Sequence, residues 1–522
     1  MPQQYFAHEV RTFLGQNTAQ NPAELTLGAQ ALAKNAVMRE VGTIGKRDGS
    51  KPVTSSAITG PIRHLTQYKS STTAAPDLLA AAGTTLYKFN GTNALTPQTM
   101  TNALVTSDIY TEDFTTANLV SRLIIADTGS LKEYDGSTVK NITPAPDDPS
   151  PAPANALPDI NIKGNKFVWV YSGHVFVSPG TNEMFYSKRY HYDYFPETQF
   201  FLLVRENDYI NGPGIAFNNV CLIPMRRGWA ILTGENFDNF EADKFLNTVN
   251  GVISPRAVAK VTYPNGSQTV AYLSDDGVHE IFDTGAIDTG VRQYSTRSLM
   301  SDKIDFLGVG FTESEKSQAY MDFDPQSNLL KLWITRGSTY YCYVMDTRDR
   351  EWRVWTFPWD VKPSLVFNGV SYFAGATGHL HKFDENLYSD WNDAGQTTGT
   401  PVDFDVYSGL LSFEFSGHPS YLDYLLIEAK QWNIKSTLDV SLIYSTGTVD
   451  VPAALKNEIF VWGVSAWAEA EWANTDYTNI VNHAKRLIFK KKGKYFQRRM
   501  RNNRNEPVLV YKEKYIGRLS GK

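Results

Sequence analysis

From residue 83 the stretch GTTLYKFNGT sets a glycine before a short alternation of apolar and polar positions and closes on an Asn-Gly pair. The same arrangement returns at 129 (GSLKEYDGST), 180 (GTNEMFYSK), 234 (GENFDNF), 275 (DDGVHEIFD), 337 (GSTYYCYVMDTRDREW) and 378 (GHLHKFDE). Anchored on Leu86, Leu131, Met184, Phe237, Val278, Tyr340 and Leu380, the copies lie 40 to 62 residues apart. A second alternating run precedes each later copy, as in RLIIADTG from 122, HVFVSPG from 174 and LLKLWITRG from 329. Two period-2 runs joined by a few turn residues predict a hairpin. A hairpin alone cannot bury its apolar face, so the seven must share a core. The spacing leaves room for two more strands per unit, which fits a four-stranded blade. The predicted class is all-β, a six- or seven-bladed β-propeller, with a pair of β-sandwiches as the alternative. No Gly-His and Trp-Asp pair marks each unit, so a WD40 array is not expected.

The flanks differ from this middle. Residues 1–60 read as an N-terminal arm and first strand, 61–390 as the propeller, and 391–522 as a C-terminal β-sandwich with basic last strands. In the arm, AELTLGAQALA behind Asn21 and Pro22 predicts a helix over 22–33, and NAVMREVGTIGKRDG reads as strand. With little apolar surface of its own, the arm is expected to lie along the main domain or a neighbouring subunit. The six prolines of NITPAPDDPSPAPANALPD, 141–159, predict a long loop inside the propeller, because proline fixes φ and removes a backbone donor. Beyond NDAGQTTGTP the chain alternates strongly, predicting five or six strands, with one short helix at VSAWAEAEWAN.

Composition adds two constraints. Only Cys221 and Cys342 are present, so no disulfide framework or zinc ribbon arises within the chain, and a reducing site of synthesis is expected. The start lacks the charged and apolar regions of a leader, and no apolar run approaches the ~18 residues of a membrane span. The expectation is a protein made in the cytoplasm, with no membrane segment. The net charge of −5 hides an asymmetry: residues 485–522 hold 14 Lys or Arg against Glu506 and Glu513, so the rest of the chain is strongly acidic.

That basic stretch is the strongest electrostatic signal. Lys490, Lys491, Lys492 and Lys494 are expected to bracket a hairpin turn, with Arg498, Arg499, Arg501 and Arg504 on the next strand. They fit contacts to DNA phosphates, which would be salt-sensitive, docking to an acidic neighbouring subunit, or a solvated strand edge protected by lysines. In KRYHYDYFPETQFF, 188–201, Tyr190, Tyr192, Tyr194 and Phe195 suit sugar stacking, subunit packing or a blade interior. His379 and His381, near Asp384, are the best metal-like group, but a metal site needs further ligands that the sequence does not supply. The carboxylate pairs Asp147–Asp148 and Asp275–Asp276 read as turn residues that satisfy their own backbone. No Walker loop, G-x-S-x-G or H-E-x-x-H occurs. No cofactor, metal or catalytic residue is assigned.

Two segments carry a family resemblance. Gly42, Ile44, Lys46, Arg47 and Gly49 follow a G-x-(I/L)-x-K-R-x-G turn, and KKKGKYFQRRMRNNRNEPVLVYKEKYIGR supplies a Lys-Gly-Lys turn, a basic strand, an Asn-rich turn and a last strand. In this the chain resembles the β-propeller proteins of phage tails, the packaged-DNA stabilisation and tail nozzle or hub proteins. The departure is Asp48, where that family's motif has proline. The resemblance implies a non-catalytic virion protein that forms a ring, usually six-fold, around the DNA channel. It further implies contacts with itself, with portal-adaptor or other tail proteins and with tail fibres or spikes, while genomic DNA passes non-specifically through the lumen. A receptor- or glycan-binding propeller of a tail tip is the alternative. A secreted glycosidase would need a leader and two opposed carboxylates.

Overall fold

The computed structural model describes residues 5–519 apart from 72, 147–152, 237–238, 247–249, 289–290, 301, 397, 412–419, 431–435, 445–446 and 455–482. Seven sheets of four or more antiparallel strands follow one another along the chain. Blade one comprises Ile62–Tyr68, Asp77–Ala82, Thr85–Phe89 and Leu95–Pro97, and blade two Tyr110–Thr115, Ser121–Ala126, Lys132–Tyr134 and Thr138–Asn141. Blade three comprises Phe167–Tyr171, His174–Ser178, Glu183–Tyr186 and Phe200–Leu202. Blades four (from Ile215–Phe217 to Glu241–Phe245), five (from Val258–Thr262 to Val291–Ser298) and six (from Tyr320–Asp324 to Glu351–Phe357) repeat the order. Blade seven takes Val361–Phe367, Val370–Gly375 and His381–Asp384, and its fourth strand, Gly49–Pro52, comes from the other end of the chain.

The second strands show why the blades stack into a ring. In blade one, Leu79 and Ala81 pack with Leu123, Ile125 and Tyr134 of blade two. Leu78, Ala80 and Ala82 face the other way, onto Phe367, Ala374 and Leu380 of blade seven. Alternate residues of a strand point to opposite faces, so a strand between two blades is apolar on both. This explains the continuous runs LLAAA, RLIIA and VFVS, where a solvated sheet would alternate. The contact of blades one and seven closes the circle. Each fully buried Leu or Ile contributes roughly 1.5–3 kcal/mol.

Six of the seven sequence anchors fall on or beside the third strand of a blade. The copy at GENFDNF is one strand out of phase: GWAILTG is itself the third strand of blade four, and the turn leads to its fourth, while Phe237 lies outside the described residues. The Pro-rich segment joins blades two and three and ends in the short helix Leu157–Lys163, with Pro at its first turn.

Residues 22–33 do not form the predicted helix. Asn21 accepts a hydrogen bond from the Ala23 amide at 3.0 Å, which closes only a turn, and Gly28 has φ +98 against the Thr12 carbonyl. Gln30–Lys34 is a strand, antiparallel to Phe404–Ser408 and bridged to Val354 of blade six. Strand pairing on both sides overrides the helix propensity of the alanines. The same strand fuses blade six with one sheet of the sandwich, continuing through Phe496–Asn502, Thr437–Tyr444 and Gly447–Ala454. The facing sheet holds Ala36–Val37, Ile44–Lys46, Leu509–Leu519, Ser420–Ala429 and His483–Gly493, with Tyr5–Val10 also on Leu509–Leu519. Seven described strands of the sandwich therefore come from 404–519 and the others from residues 5–46. Val10, Phe13 and Ile44 fill the same core as Leu425, Leu442, Phe489 and Val510. The helix predicted at VSAWAEAEWAN lies outside the described residues.

One correction concerns the basic stretch. His483–Gly493 and Phe496–Asn502 are not a hairpin: they belong to opposite sheets, and the chain turns the sandwich corner at Lys494 and Tyr495. Phe496 and Phe489 both point into the core between the sheets, and a flat hairpin could not bury them so.

Candidate interaction surface and its structural junction

The two segments that carry the resemblance sit at opposite ends of the chain and meet in space. Ile44 and Gly45 pair with Val510 and Leu509. The Lys46 ammonium, wholly buried, donates to Asn502 Oδ1 at 2.8 Å and to the Arg504 carbonyl at 2.5 Å. Burial, reinforced by the neighbouring Arg47, pushes its pKa down to about 7. Arg47, 1% exposed, meets Asp390, 3% exposed, through two bonds of 3.0 and 2.5 Å. Its other donors reach Asn35 Oδ1 (3.1 Å), the Asp48 carbonyl (2.8 Å) and the Thr356 carbonyl (2.8 Å), and the guanidinium lies over Phe357. Every branch of the fork is used, which suits a bidentate buried pair. Ser50 also donates to Asp390, at 2.8 Å. Asp48 pairs with Arg39. At Gly49 a Cβ would stand 2.1 Å from the Ser389 carbonyl, so the close approach of these backbones demands glycine. Lys46 to Ser50 thus fastens blade six, blade seven and the sandwich together.

The eight basic residues separate into two groups. Arg498 is buried, with its guanidinium 2.8 Å from Glu513 and further bonds to Gln30 and the Val406 carbonyl. Arg499 clasps Asp405 through two bonds of 2.8 and 2.7 Å, Arg501 meets Asp403 at 3.0 Å and Arg504 meets Asp439 at 3.3 Å. These arginines hold the sandwich to itself. Lys490, Lys492 and Lys494 are exposed and Lys491 half-buried. The Lys491 ammonium lies 5.9 Å from the Tyr444 ring and that of Lys492 5.5 Å from the Tyr421 ring.

The aromatic run is mostly interior. Tyr190 is 42% exposed, but Phe195 is buried and Tyr194 is buried with its hydroxyl donating to the Pro153 carbonyl at 2.5 Å. Tyr192 packs edge-on against Phe114 and donates to Glu133 at 2.8 Å. The histidines do not converge on a common point. His379 Nδ1 faces Thr54, and His381, stacked on Phe373, bonds Thr377 at 2.8 Å. Burial pushes His381 down to about 3, with His379 adding to the effect. Asp384 pairs with Lys51. No metal-competent group of three occurs among the described residues. Asp275 pairs with Arg226, Asp276 with His279, and Asp147–Asp148 lie outside the described residues. No helix among the described residues is long and apolar enough to cross a membrane.

No sequence pattern singles out Arg256. It stands at the head of blade five, yet its Nε donates to Asp108 at 2.7 Å and its Nη2 to the Ile109 carbonyl, at blade two, at 2.6 Å. A third branch meets His64 of blade one at 3.1 Å. Burial, then the Arg256 charge, holds His64 well below its usual pKa, so the neutral ring accepts this bond and serves Thr111 through Nε2 at 2.9 Å. Blades one, two and five meet only across the axis of a seven-membered ring. Arg256 therefore spans the propeller shaft.

No family model matches the chain, and no curated protein matches it by sequence. Among solved structures it is similar to the Pan2 WD40 domain of Neurospora crassa, at 10% identity over 65% of this chain and 98% of that one, with a TM-score of 0.36. The N-terminal domain of Nup159 is similar at 11% identity, 68% and 98% coverage and a TM-score of 0.35. BamB from Moraxella catarrhalis is similar at 11% identity, 64% and 98% coverage and a TM-score of 0.32. At these scores the blade count rests on the strand pairing described above.

Proposed function

We propose that the chain is a non-catalytic structural protein of a phage tail that assembles into a ring, extends the DNA channel, retains packaged DNA and anchors fibres or spikes. The observation that carries this reading is the junction: the two segments on which the resemblance rests, separated by most of the sequence, form one strand-paired and hydrogen-bonded unit at Lys46, Asn502 and Arg504. Such a unit gives a rigid two-part body in which force on the sandwich passes to the propeller. Because Arg256 crosses the shaft, the DNA lumen belongs between copies, at the centre of the ring. Portal-adaptor and fibre proteins are its other partners. The competing proposal, a glycan-binding propeller, loses its stacking platform where Tyr192, Tyr194 and Phe195 turn inward. Negative-stain images of the purified chain, alone and after adding partner tail proteins, test the reading. Annular particles with an open centre are expected, and single compact particles in both preparations would refute it.

A further inference from the structure

The corner at Lys494 and Tyr495 places half of the basic stretch on the outer face of one sandwich sheet. Leu487 and Phe489 point into the core, so Arg486 and Ile488 point outward, and Ile488 is 56% exposed. On the adjoining strand the Arg486 guanidinium lies 3.9 Å from the Tyr424 ring, and Lys492 and Arg518 flank Tyr421. Ile516 and Leu426 sit between them on the same face, with Lys514 beside Leu426 in register. The face therefore has an apolar and aromatic middle with a cationic rim, the anatomy of a protein contact rather than of a groove that tracks phosphates. Among the described residues Arg486, Lys490, Lys492 and Lys514 stand in no ion pair, whereas Arg498, Arg499, Arg501 and Arg504 are each matched to a carboxylate.

The matching surface is elsewhere on the chain. At one end of blades five and six, Asp275, Asp276, Asp302, Asp305, Glu313 and Glu315 come from the turn before the third strand of blade five and from the connection into blade six. Arg226 bridges Asp275 at 3.1 Å and Glu313 at 2.8 Å and His279 meets Asp276 at 2.7 Å, so these carboxylates are matched within the chain, and Lys303, Lys316 and Arg336 lie in or beside the same connection. Asp302, Asp305 and Glu315 are the carboxylates of this corner that stand in no ion pair among the described residues.

We propose that the Arg486–Lys492 face docks onto the acidic corner of blades five and six of a second copy of this chain. The contact is heterologous, one surface against a different one, so it generates a ring where the rotation closes. The choice of a second copy rests on the ring reading above. The charge complementarity rests on the structure.

The test is the mass of the full-length chain by light scattering at low and high salt, for wild type, for Arg486→Glu/Lys492→Glu, and for that variant mixed with Asp302→Lys/Glu313→Lys. All four positions are exposed, and circular dichroism verifies folding. Wild type is expected to assemble and weaken with salt. The reversed face is expected to associate about a hundredfold more weakly or worse, and the mixture of the two reversed chains to recover association. If wild type assembles and the reversed face assembles equally well, this docking face is wrong while the ring reading stands. If wild type remains a single chain with and without partner tail proteins, both fall. If reversal abolishes salt-sensitive retention of duplex DNA but leaves assembly untouched, the face is a nucleic-acid surface and the proposal is overturned.

Discussion

Replacing Asp390 with alanine should open the propeller at its seam. The substitution removes both carboxylate bonds to Arg47, of 3.0 and 2.5 Å, and the acceptor for Ser50. Arg47 stays enclosed with only neutral acceptors, and a buried pair broken from one side costs about 3–5 kcal/mol. Removing both charges, as in Arg47→Met/Asp390→Leu, leaves no uncompensated charge; it takes one bond each from the Asp48 and Thr356 carbonyls, from the Ser50 hydroxyl and from Asn35 Oδ1, which keeps the Thr356 amide, at about 1 kcal/mol or less each. The double variant should therefore be more stable than the single one. Hydrogen exchange of the Gly49–Pro52 strand amides reads this locally, without assuming two-state unfolding of so large a chain. In Asp390→Ala they should exchange on the order of a hundred to several thousand times faster. Unchanged exchange, or a double variant worse than the single one, would refute the reasoning.

Three further outcomes are expected. Lys46 has a folded pKa of about 7 against 10.5 unfolded, so between these values the unfolded chain holds the extra proton. The burden of burying it is full below pH 7 and is relieved as pH rises to 10.5. Denaturation midpoints of wild type should gain on Lys46→Met across that window, by about 1.4 kcal/mol per pH unit, and a flat or inverted difference would count against the buried ammonium. Gly49→Ala should destabilise by roughly 1–3 kcal/mol or more, because its Cβ would strike the Ser389 backbone; a neutral urea midpoint would contradict that approach. Arg498→Met should lose about 3–5 kcal/mol by stranding the buried Glu513, whereas Lys490→Ala should stay within about 0.5 kcal/mol, both read from urea titrations.

The propeller was legible because its hairpins repeat: a glycine or aspartate turn between an apolar run and a period-2 run marks the second and third strands of six blades. The inner and outer strands carry weaker patterns, since strands such as Phe200–Leu202 are short and partly exposed. The contribution of Gly49–Pro52 to blade seven depends on a partner over 300 residues away, and no local pattern encodes it. The alanines of 22–33 signalled a helix because propensity is local, while pairing with Phe404–Ser408 is not. For the basic stretch, sequence located the charge but not its direction. Arg498, Arg499, Arg501 and Arg504 look alike in the sequence, and only the positions of Glu513, Asp405, Asp403 and Asp439 show that they are matched internally.

The most direct test of the ring account is the molar mass of the purified full-length chain, measured by light scattering behind size exclusion over a range of concentrations, alone and with partner tail proteins. The account predicts a closed oligomer with an integral number of copies, six by the family resemblance, under at least one of these conditions. A single-chain mass throughout, with retention on a glycan column, would contradict it.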